Sequence, residues 1–469
     1  MSKINTNVSS LIAQRVLRKN NNALNTSLER LSTGLKINRG ADNPAGLIAS
    51  ENLRAEKAGI SQAIDNAERA SNIIGTAEGG LSEVSSLLTE LQGLVSESAN
   101  EGGLSAEETE ANQLQVDSIL STINRIAQST AFQGTKLLNG NYAYTTSGVT
   151  TADIGNIQVN AARLPDGQAA NVVVSVTQSA QTAVLRRTAS AALTDAITIE
   201  IAGNNGTEQL SFAAATTNTQ IATAINAVKE ATGVSAVLSG GALKVDSIKF
   251  GADQFVTINV VSGTSFSPSA TTDAGRDATV KINGASASAK GLSVSYRSSS
   301  LDIEFDIKAA QNTNAGATSF FVSGGGADFA LGSKVTETDK ASIGIKSVST
   351  GSLGDSTDGF LSSLGSGGVN SLSSDNMVKA QRIIDRSIKQ VSQLRGRLGA
   401  FQKFTIGSTI NSLGVAFENA SAAESAIRDT DFAEETANLT RSQILAQAAT
   451  TVLAQANASP QNALALLQG

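Results

Sequence analysis

The clearest hydrophobic pattern in the chain is a heptad-like repeat in its N-terminal part. Apolar residues recur at alternating steps of three and four, the spacing of a coiled-coil seam, at Ile74, Ala77, Leu81, Val84, Leu88, Leu91 and Val95. Asn43 followed by Pro44 is typical of a helix start, because Asn caps the first turn and Pro fits the first helical position. The pattern predicts one long helix over about 44–99. Ser105 and Glu108 form a capping-box signature, which predicts a second helix to about Ser129, folded back as an antiparallel hairpin.

Both ends of the chain carry narrower helical stripes. Apolar residues follow steps of three and four at Ile4, Val8, Leu11, Leu24, Leu28, Leu31 and Leu35, and again at Leu445, Ala449, Val452 and Ala456. Such narrow faces, set among Asn, Gln, Ser and Ala, do not hold an isolated helix together in water. Residues 1–44 carry seven basic and two acidic side chains, a net charge of +5, whereas residues 430–469 carry one and three, a net charge of −2. We therefore expect the two ends to pair, and to become helical only when docked.

The middle of the chain, from Thr145 to about Ser323, changes to short period-two runs rich in Ser, Thr, Gly and Ala. This pattern is typical of β-strands. Asn205-Gly206 predicts a hairpin turn between the strands Ile197–Ile201 and Gln209–Ala213. The region is therefore predicted to be mostly β.

Shorter signatures follow this region or interrupt it. Asn218 is expected to cap a short helix. Phe329–Leu331 and Ile343–Val348 are predicted to be the arms of another hairpin, followed by a Gly/Ser-rich link over Ser349–Gly368. Helical spacing returns between Asn376 and Ile427. The predicted fold class is α+β: a long-helix coiled-coil rod formed by both chain ends, with an inserted β-rich outer region.

The composition narrows the chemistry that the chain can perform. It has no Cys and no His, which excludes Cys/His zinc sites, Ser-His-Asp triads and Cys-His nucleophiles. Carboxylate, Lys or Tyr catalysis would remain, but no pattern points to it, and we expect no enzyme, no catalytic residue, no cofactor and no metal. Asp429, Asp431, Glu434 and Glu435 are interpreted as charges that oppose a helix dipole, not as a metal cluster.

The charge and hydropathy patterns argue against two kinds of partner. Residues 143–324 hold eleven basic and thirteen acidic side chains, without the basic, aromatic-bearing stripe typical of nucleic-acid binding. No window approaches the 18 apolar residues of a membrane span. The first twenty residues lack the apolar core and the cleavage site of a secretory signal. A route out of the cell is therefore expected not to use a cleaved signal.

Five segments carry a resemblance to a known family. They are LSTGLKIN, ADNPAGLIA, FQGTKLLN, LRGRLGAFQ and IRDTDFAEETANLTRSQILAQAATTVLAQA, which begin at Leu31, Ala41, Phe132, Leu394 and Ile427. With the helices between them, they resemble the bacterial flagellins, the subunits of the flagellar filament, over about 1–141 and 329–469. Residues 193–262 are similar to a repeat found in the middle of flagellins.

The resemblance implies a domain plan, a location and a set of partners. The expected parts are an N-terminal filament-core helix (1–44), the N-terminal rod helices (45–142), one or two β-rich outer surface domains (143–324), a rod hairpin with a C-terminal helix (325–429) and a C-terminal filament-core helix (430–469). The partners are other copies of the chain in a helical homopolymer, the flagellar cap and hook-associated proteins, and a secretion chaperone. Flagellins leave the cell by flagellum-specific type III export, without a cleaved signal. The residues expected to mediate assembly are Leu24, Leu28, Leu31, Leu35, Leu445, Ala449, Val452 and Ala456.

One patch departs from the family pattern. Many flagellins carry Gln-Arg-x-Arg-Glu-Leu on the first rod helix, where the vertebrate Toll-like flagellin receptor reads it. The aligned residues here are Thr89, Glu90, Leu91, Gln92, Gly93 and Leu94. Both Arg positions are lost and one is reversed in sign, so the resemblance predicts weak or absent recognition by that receptor.

Alternatives share parts of these patterns. The hook–filament junction protein has similar chain ends, and the outer region is open to an adhesive or glycan-binding role or, more remotely, to an embedded enzyme. The complete C-terminal motif and the chain length favour the filament subunit. Arg395 and Arg397 are interpreted as rod-surface contacts to neighbouring subunits.

Overall fold

The computed structural model describes residues 6–100, 103–164, 168–187, 189, 191–298, 300–313, 316–374 and 376–467. The predicted stripe residue Ile4 lies outside them. Backbone contacts divide the chain into two units. The first comprises Met1–Glu68, Ala330–Asp339 and Ile406–Gly469, and the second comprises Arg69–Phe329 and Lys340–Thr405.

Helices occupy both ends of the chain and a short stretch of the middle. The α-helices are α1 (Val8–Thr33), α2 (Pro44–Ser98), α3 (Ala106–Ser129), α4 (Asn218–Ala227), α5 (Lys229–Thr232), α6 (Met377–Ala400), α7 (Gly407–Arg428) and α8 (Phe432–Leu467). A π-helical segment, Phe401–Ile406, joins α6 to α7, and short 3-10 turns cover Glu337–Asp339 and Leu361–Leu364.

The strands lie between α3 and α6. They are β1 (Ala131–Phe132), β2 (Thr135–Lys136), β3 (Thr145–Ser147), β4 (Ile154–Ala162), β5 (Ala170–Gln178), β6 (Val184–Arg187), β7 (Ile197–Gly203), β8 (Thr207–Phe212), β9 (Val234–Ser239), β10 (Ala242–Ser247), β11 (Phe255–Ser262), β12 (Thr272–Ala274), β13 (Thr279–Ile282), β14 (Ala285–Lys290), β15 (Ser293–Arg297), β16 (Leu301–Ile307), β17 (Gly316–Gly324), β18 (Ala327–Ala330), β19 (Lys340–Ile343), β20 (Gly354–Asp355) and β21 (Gly359–Phe360). Helical ends around a β-rich middle confirm the predicted α+β class.

The predicted helical hairpin is confirmed, with α2 ending at Ser98 and α3 spanning Ala106–Ser129. The capping box is present, because the Ser105 side chain accepts from the backbone of Glu108 and the Glu108 side chain accepts from the backbone of Ser105. Each residue of the heptad seam is at most 1% exposed. The side chain of Asn112 donates to Ser98 at 3.2 Å, as antiparallel helices require.

The larger sheet has eight strands in the order β3-β17-β5-β13-β14-β15-β16-β4. Alternating residues point into its core, among them Val172 and Val174 on β5, Ile303 on β16 and Phe320 on β17. This period-two burial is the reason why the sequence pattern identified strands here.

A second core lies between α4 and two smaller sheets, of order β12-β11-β7-β8 and β6-β10-β9. The predicted Asn-Gly hairpin is confirmed as β7 and β8. The predicted cap was wrong by one residue, because Thr217 caps α4 and forms a capping box with Gln220. Asn218 is instead buried, and its side-chain oxygen accepts from the buried guanidinium of Arg187.

The hairpin before α6 differs in its bounds from the prediction, and the link that follows it contains regular structure. The hairpin pairs β18 (Ala327–Ala330) with β19 (Lys340–Ile343), so its second arm begins before the predicted Ile343. The link Ser349–Gly368 is ordered, because β20, β21 and a 3-10 turn pack beside α6. Gln390 of α6 explains part of this order, since its amide bonds both the N–H and the C=O of Gly354, at 2.9 and 2.8 Å.

Candidate assembly site at the paired chain ends

Side-chain caps set where α1 and α8 begin. The side chain of Asn7 accepts from the backbone N–H of Ser10 at 3.0 Å. The carboxylate of Asp431 accepts from the N–H groups of Ala433 and Glu434, at 2.8 and 3.2 Å. Asp431 therefore stabilises the start of α8, as the first-turn interpretation predicted.

The segments that follow α1 and precede α8 pair with each other. Leu35 and Asp429 lie directly opposite in an antiparallel bridge. The N–H of Lys36 donates to the carbonyl of Arg428 at 2.6 Å, and the N–H of Thr430 donates to the carbonyl of the residue before Leu35 at 2.9 Å. We call residues 34–36 and 428–430 the clasp. The clasp joins the two chain ends through backbone atoms, so this contact depends little on the side chains.

Beyond the clasp, α1 and α8 lie against each other. Their less exposed residues recur at heptad spacing. On α1 these are Ser10, Ala13, Leu17, Asn20, Leu24, Ser27 and Leu31, and on α8 they are Glu435, Ser442, Ala446, Ala449, Leu453 and Ala456. Small and polar side chains therefore occupy most of this seam, which brings the two backbones close but buries little apolar surface.

Hydrogen bonds join the two helices at one end of the seam and near its centre. At one end, Asn7 donates to the carbonyl of Ala456 at 2.8 Å, and Ser10 donates to the Asn457 side chain at 2.7 Å. Near its centre, Asn20 donates to the carbonyl of Leu445 at 3.1 Å. Such contacts fix the register of α1 against α8, because a shift of one residue would break all of them.

An ion pair closes the seam near the clasp. Glu435 is buried, and its carboxylate lies 3.7 Å from the guanidinium of Arg30. The interpretation of Glu435 as a first-turn charge alone was therefore incomplete. The pair places one acidic C-terminal group against one basic N-terminal group, in line with the opposite net charges of the two ends.

Many of the larger apolar residues of this helix pair point away from the seam. Eight of them are between 42 and 60% exposed. They are Val8, Leu11, Ile12, Val16, Leu28, Ile444, Leu445 and Val452. Of the residues expected to mediate assembly, Leu28, Leu445 and Val452 therefore lie outside the seam, whereas Leu24, Leu31, Ala449 and Ala456 lie in the seam and Leu35 in the clasp. Periodicity alone could not separate the two faces, since both repeat at three and four residues.

Charged pairs also join α2 to α7 within the same unit. Lys57 lies 2.8 Å from Glu424, and Arg428 lies 3.0 Å from Glu51. Arg54 lies between them, 2.9 Å from Glu51 and 3.8 Å from Glu424. The Arg54 and Arg428 guanidinium groups lower the pKa of the Glu51 carboxyl. This alternation of signs holds α7 beside α2 next to the clasp.

The altered receptor patch lies on α2 in the second unit. Thr89, Glu90 and Gly93 are exposed. Gln92 is half-buried, and its amide donates to the carboxylate of Asp385 on α6 at 3.1 Å. The patch is therefore an acidic and neutral surface, with one of its side chains engaged inside the molecule.

Arg395 and Arg397 do not lie on a free surface. Both are half-buried, and Arg397 lies among the groups that α6 faces on the large sheet, including Glu304 of β16. Burial lowers the pKa of Arg397. Arg397 therefore contacts the chain's own β-strands, because α6 turns this side of the helix toward them.

Among the residues that the structure describes, there is no cluster of three or more acidic side chains placed to hold a metal ion. Within the same residues, no helix is both long and apolar enough to cross a membrane.

Comparison with known proteins matches both ends and part of the middle. Residues 4–143 match the bacterial flagellin N-terminal helical region, and residues 381–467 match the bacterial flagellin C-terminal helical region. Residues 198–249 match the flagellin hook IN motif, which confirms the repeat noticed over 193–262.

Similarity to known flagellins extends along the whole chain. It is 31% identical over 467 residues to polar flagellin B/D of Vibrio parahaemolyticus, with 99% of each chain covered. It is also 31% identical over 464 residues to flagellin B of Vibrio cholerae serotype O1, again with 99% of each covered. This coverage does not favour the junction protein or a separate adhesin. The chain belongs to the bacterial flagellins, the structural subunits of the flagellar filament.

Proposed function

We propose that subunits of this flagellin polymerise through the helix pair formed by α1 and α8. The observation that carries the proposal is the distribution of side chains on that pair. Its own seam holds mainly small and polar residues, whereas eight of its larger apolar residues face outward. Exposed apolar patches of this kind mark interaction surfaces, and other copies of the same chain supply the matching surface.

The apolar stripes contribute substantially to association. Burying the exposed half of a Val, Leu or Ile side chain contributes about 1 kcal/mol. The eight exposed side chains would together contribute about 8 kcal/mol per subunit, before the loss of translational and side-chain freedom. Repeated contacts between many copies add to this value along a filament.

From the same distribution of side chains on α1 and α8, we also propose that the two chain ends complete their folding on assembly. A seam in which Ala, Ser and Asn predominate buries little apolar surface, so the α1–α8 pair is marginal in a lone molecule. Neighbouring copies cover the outward stripes and thereby supply the missing burial. Ordering the helices at that moment prevents premature polymerisation.

We extend the proposal to the remaining parts of the chain. The core helices are assigned to 1–44 and 430–469, the rod to 45–142 and 325–429, and the outer surface to 143–324. The chain leaves the cell by flagellum-specific type III export without a cleaved signal, and a secretion chaperone binds the C-terminal segment. The exposed Ile444, Leu445 and Val452 are the apolar groups of α8 that such a chaperone would cover. At the filament ends, the subunit meets the cap and the hook-associated proteins.

Seeded polymerisation of two C-terminal variants tests the role of the outward stripe. The double variant Leu445→Gln, Val452→Thr keeps the helix but removes apolar surface worth about 2 kcal/mol. We expect its critical concentration to rise about 30-fold, measured by sedimentation and negative-stain electron microscopy. The matched control Gln455→Asn changes another exposed residue of α8 and should polymerise normally. A double variant that polymerises like the control would contradict the proposal.

Two deletions test the domain assignment. Removal of residues 430–469 should abolish polymerisation while circular dichroism still reports the helices of the rod. Removal of 143–324, with the flanking residues joined by a short Gly/Ser linker, should leave filaments that are thinner. Normal filaments from the first deletion would refute coupled folding and assembly.

A further inference from the structure

The chain contains three Asn-Gly pairs, which begin at Asn139, Asn205 and Asn283. Asn is among the chemically less stable residues of proteins, and a following Gly has no Cβ to hinder the approach of its backbone nitrogen to the side-chain amide. The glycine nitrogen can therefore attack the amide carbon of the preceding Asn and close a five-membered imide ring. All three pairs share this local chemistry, so any difference between them in the folded protein comes from their surroundings.

The side chain of Asn283 is tied to the neighbouring strand β5. Its nitrogen donates to the carbonyl of Asn171 at 3.2 Å, and its oxygen accepts from the N–H of Val173 at 2.8 Å. Both polar atoms of the amide are thus held by backbone groups of another strand. The amide cannot turn toward the nitrogen of Gly284 unless both bonds break.

The side chain of Asn205 is tied to α5. Its nitrogen donates to the carbonyl of Glu230 at 3.1 Å. A Cβ atom added at Gly233, the residue after α5, would lie 3.2 Å from the Cγ atom of Asn205, so this side chain also packs against the end of the helix. One hydrogen bond must therefore break before the amide can turn toward Gly206.

Asn139 is held within its own turn. Its side-chain oxygen accepts from the N–H of Asn141 at 3.1 Å, a contact that spans Gly140 and keeps the amide beside the backbone that follows it. Within the described part of the chain, neither the amide nitrogen of Asn139 nor the N–H of Gly140 donates a hydrogen bond. The nucleophile and the leaving group are therefore both available. The N–H of Asn141 also stabilises the negative charge that develops on the amide oxygen during attack.

We propose that Asn139 is the preferred site of deamidation in the folded protein, with water as the only co-reactant. Asn139 is half-buried, whereas Asn205 and Asn283 are exposed. Exposure alone would predict the opposite order of reactivity. The proposal therefore rests on which hydrogen bonds hold each amide, and an experiment can distinguish the two explanations.

The reaction proceeds through the cyclic imide. The Gly140 nitrogen gives its proton to hydroxide and attacks the Cγ atom of Asn139, which forms an N–C bond. The bond from Cγ to Nδ2 breaks, and that nitrogen takes a proton from water and leaves as ammonia. Water then adds to one carbonyl of the imide and opens the ring. Opening at the backbone carbonyl gives isoaspartate, opening at the side-chain carbonyl gives aspartate, and either product carries one added negative charge.

Isoaspartate at this position would disturb the backbone contacts that anchor the segment after β19. The N–H of Val348 donates to the carbonyl of Leu138 at 3.1 Å, and the N–H of Ile345 donates to the carbonyl of Tyr142 at 2.9 Å. Isoaspartate inserts one methylene group into the backbone between Leu138 and Tyr142, so the two bonds cannot both keep their geometry. The modified protein is therefore expected to unfold more easily than the parent.

The number of bonds that must break sets the expected selectivity. Each hydrogen bond that has to break before ring closure lowers the reactive population about fivefold. Asn205 must break one such bond and Asn283 two, whereas the bond to the oxygen of Asn139 stays in place. Deamidation should therefore be about 5-fold slower at Asn205 and about 25-fold slower at Asn283 than at Asn139.

Peptide mass spectrometry of the full-length monomer, incubated in mildly alkaline buffer, tests the proposal. Samples are taken at low conversion, with and without enough urea to unfold the protein. In the folded protein, ammonia loss should follow the order Asn139, Asn205, Asn283, and in urea the three rates should converge. Equal rates in the folded protein, faster loss at either exposed Asn, or the same order in urea would overturn the proposal.

A matched variant and the isolated product test the site and its consequence. Asn139→Gln keeps an amide but would need a six-membered ring, which closes more slowly, so rapid ammonia loss within residues 137–163 should disappear. Rapid loss that persists there would refute the assignment to Asn139. The isoaspartate form of the parent protein, separated by anion exchange through its added charge, should have a lower urea midpoint than the unmodified form. Identical midpoints would refute the expected disturbance of the backbone.

Discussion

Two adjacent glycines in α2 provide a sharp test of how the rod helices pack. A Cβ atom added at Gly80 would lie 2.7 Å from Thr130 Oγ1 and 2.9 Å from Leu138 Cδ1. A Cβ atom added at Gly79 would meet nothing within 4 Å. The substitution Gly→Ala is therefore chemically identical at the two positions but differs completely in its surroundings.

The neighbours of Gly80 cannot move easily. Thr130 ends α3, and its hydroxyl donates to the carbonyl of Ile126 at 2.8 Å. Leu138 is fully buried. Both contacts are closer than real Cβ atoms approach, so the Thr130 and Leu138 side chains, or the segments that carry them, must shift. The glycine thus permits the close approach of α2 to the end of α3.

At Gly80, helix propensity and core packing change the stability in opposite directions, and the comparison with Gly79 separates the two effects. In the interior of a helix, Ala is about 1 kcal/mol more favourable than Gly. Overpacking in a well-filled core costs about 1–3 kcal/mol. Gly79→Ala should therefore stabilise the rod by about 1 kcal/mol. Gly80→Ala should be less stable than Gly79→Ala by about 1–3 kcal/mol, a difference in which helix propensity cancels.

Urea unfolding followed by circular dichroism at 222 nm measures this difference. The urea midpoint of Gly79→Ala should exceed that of the parent protein. The urea midpoint of Gly80→Ala should lie below that of Gly79→Ala, with parallel transition slopes. The double variant Gly80→Ala, Thr130→Gly removes the nearest obstacle and should recover part of the loss. Equal midpoints for the two single variants would refute the packing argument, because the clash would then be absorbed without cost.

Three other predictions follow from buried or altered charges. Arg187→Met should destabilise the second β core by about 2–4 kcal/mol, because it leaves several buried acceptors without a donor. The control Arg186→Met changes an exposed position of the same strand and should alter the urea midpoint of the protein little. Lys346→Met should raise the unfolding temperature at pH 7. The pKa of Lys346 is lowered to about 8 in the folded protein, so the charge of this side chain destabilises the folded state below pH 8, and the destabilisation is lost as the pH rises toward 10.5. The higher unfolding temperature of Lys346→Met relative to the control Lys389→Met should therefore vanish at that pH. Finally, the monomer should activate the vertebrate Toll-like flagellin receptor weakly or not at all in a reporter-cell assay, because both Arg positions of the patch over 89–94 are lost; strong activation would contradict this prediction.

Features that depend only on nearby residues could be predicted from the sequence alone. The bounds of α2 and α3 follow from a proline at the first helical position, a capping box and a heptad repeat, each of which acts within a few residues. The β7–β8 hairpin follows from its Asn-Gly turn in the same way. These predictions agree with the structure because the local signals and the tertiary contacts favour the same backbone conformation.

Which helix faces meet depends on contacts between segments that are distant in the sequence. On α1 and α8 the apolar and the small residues both repeat at helical spacing, so periodicity predicted helices but not that Leu445 and Val452 point outward while Ala449 lies in the seam. That choice depends on the partner helix, whose register is set by Asn7, Asn20 and the clasp.

The charged clusters also required the folded chain. Lys346 and Arg397 are far apart in sequence, and they come together only because α6 packs against the large sheet. Arg187 likewise finds Asn218 only when β6 and α4 enclose the same core. Nothing local marks these residues, since a charge becomes unusual only when surrounding elements remove its water and fix the sign of its neighbours.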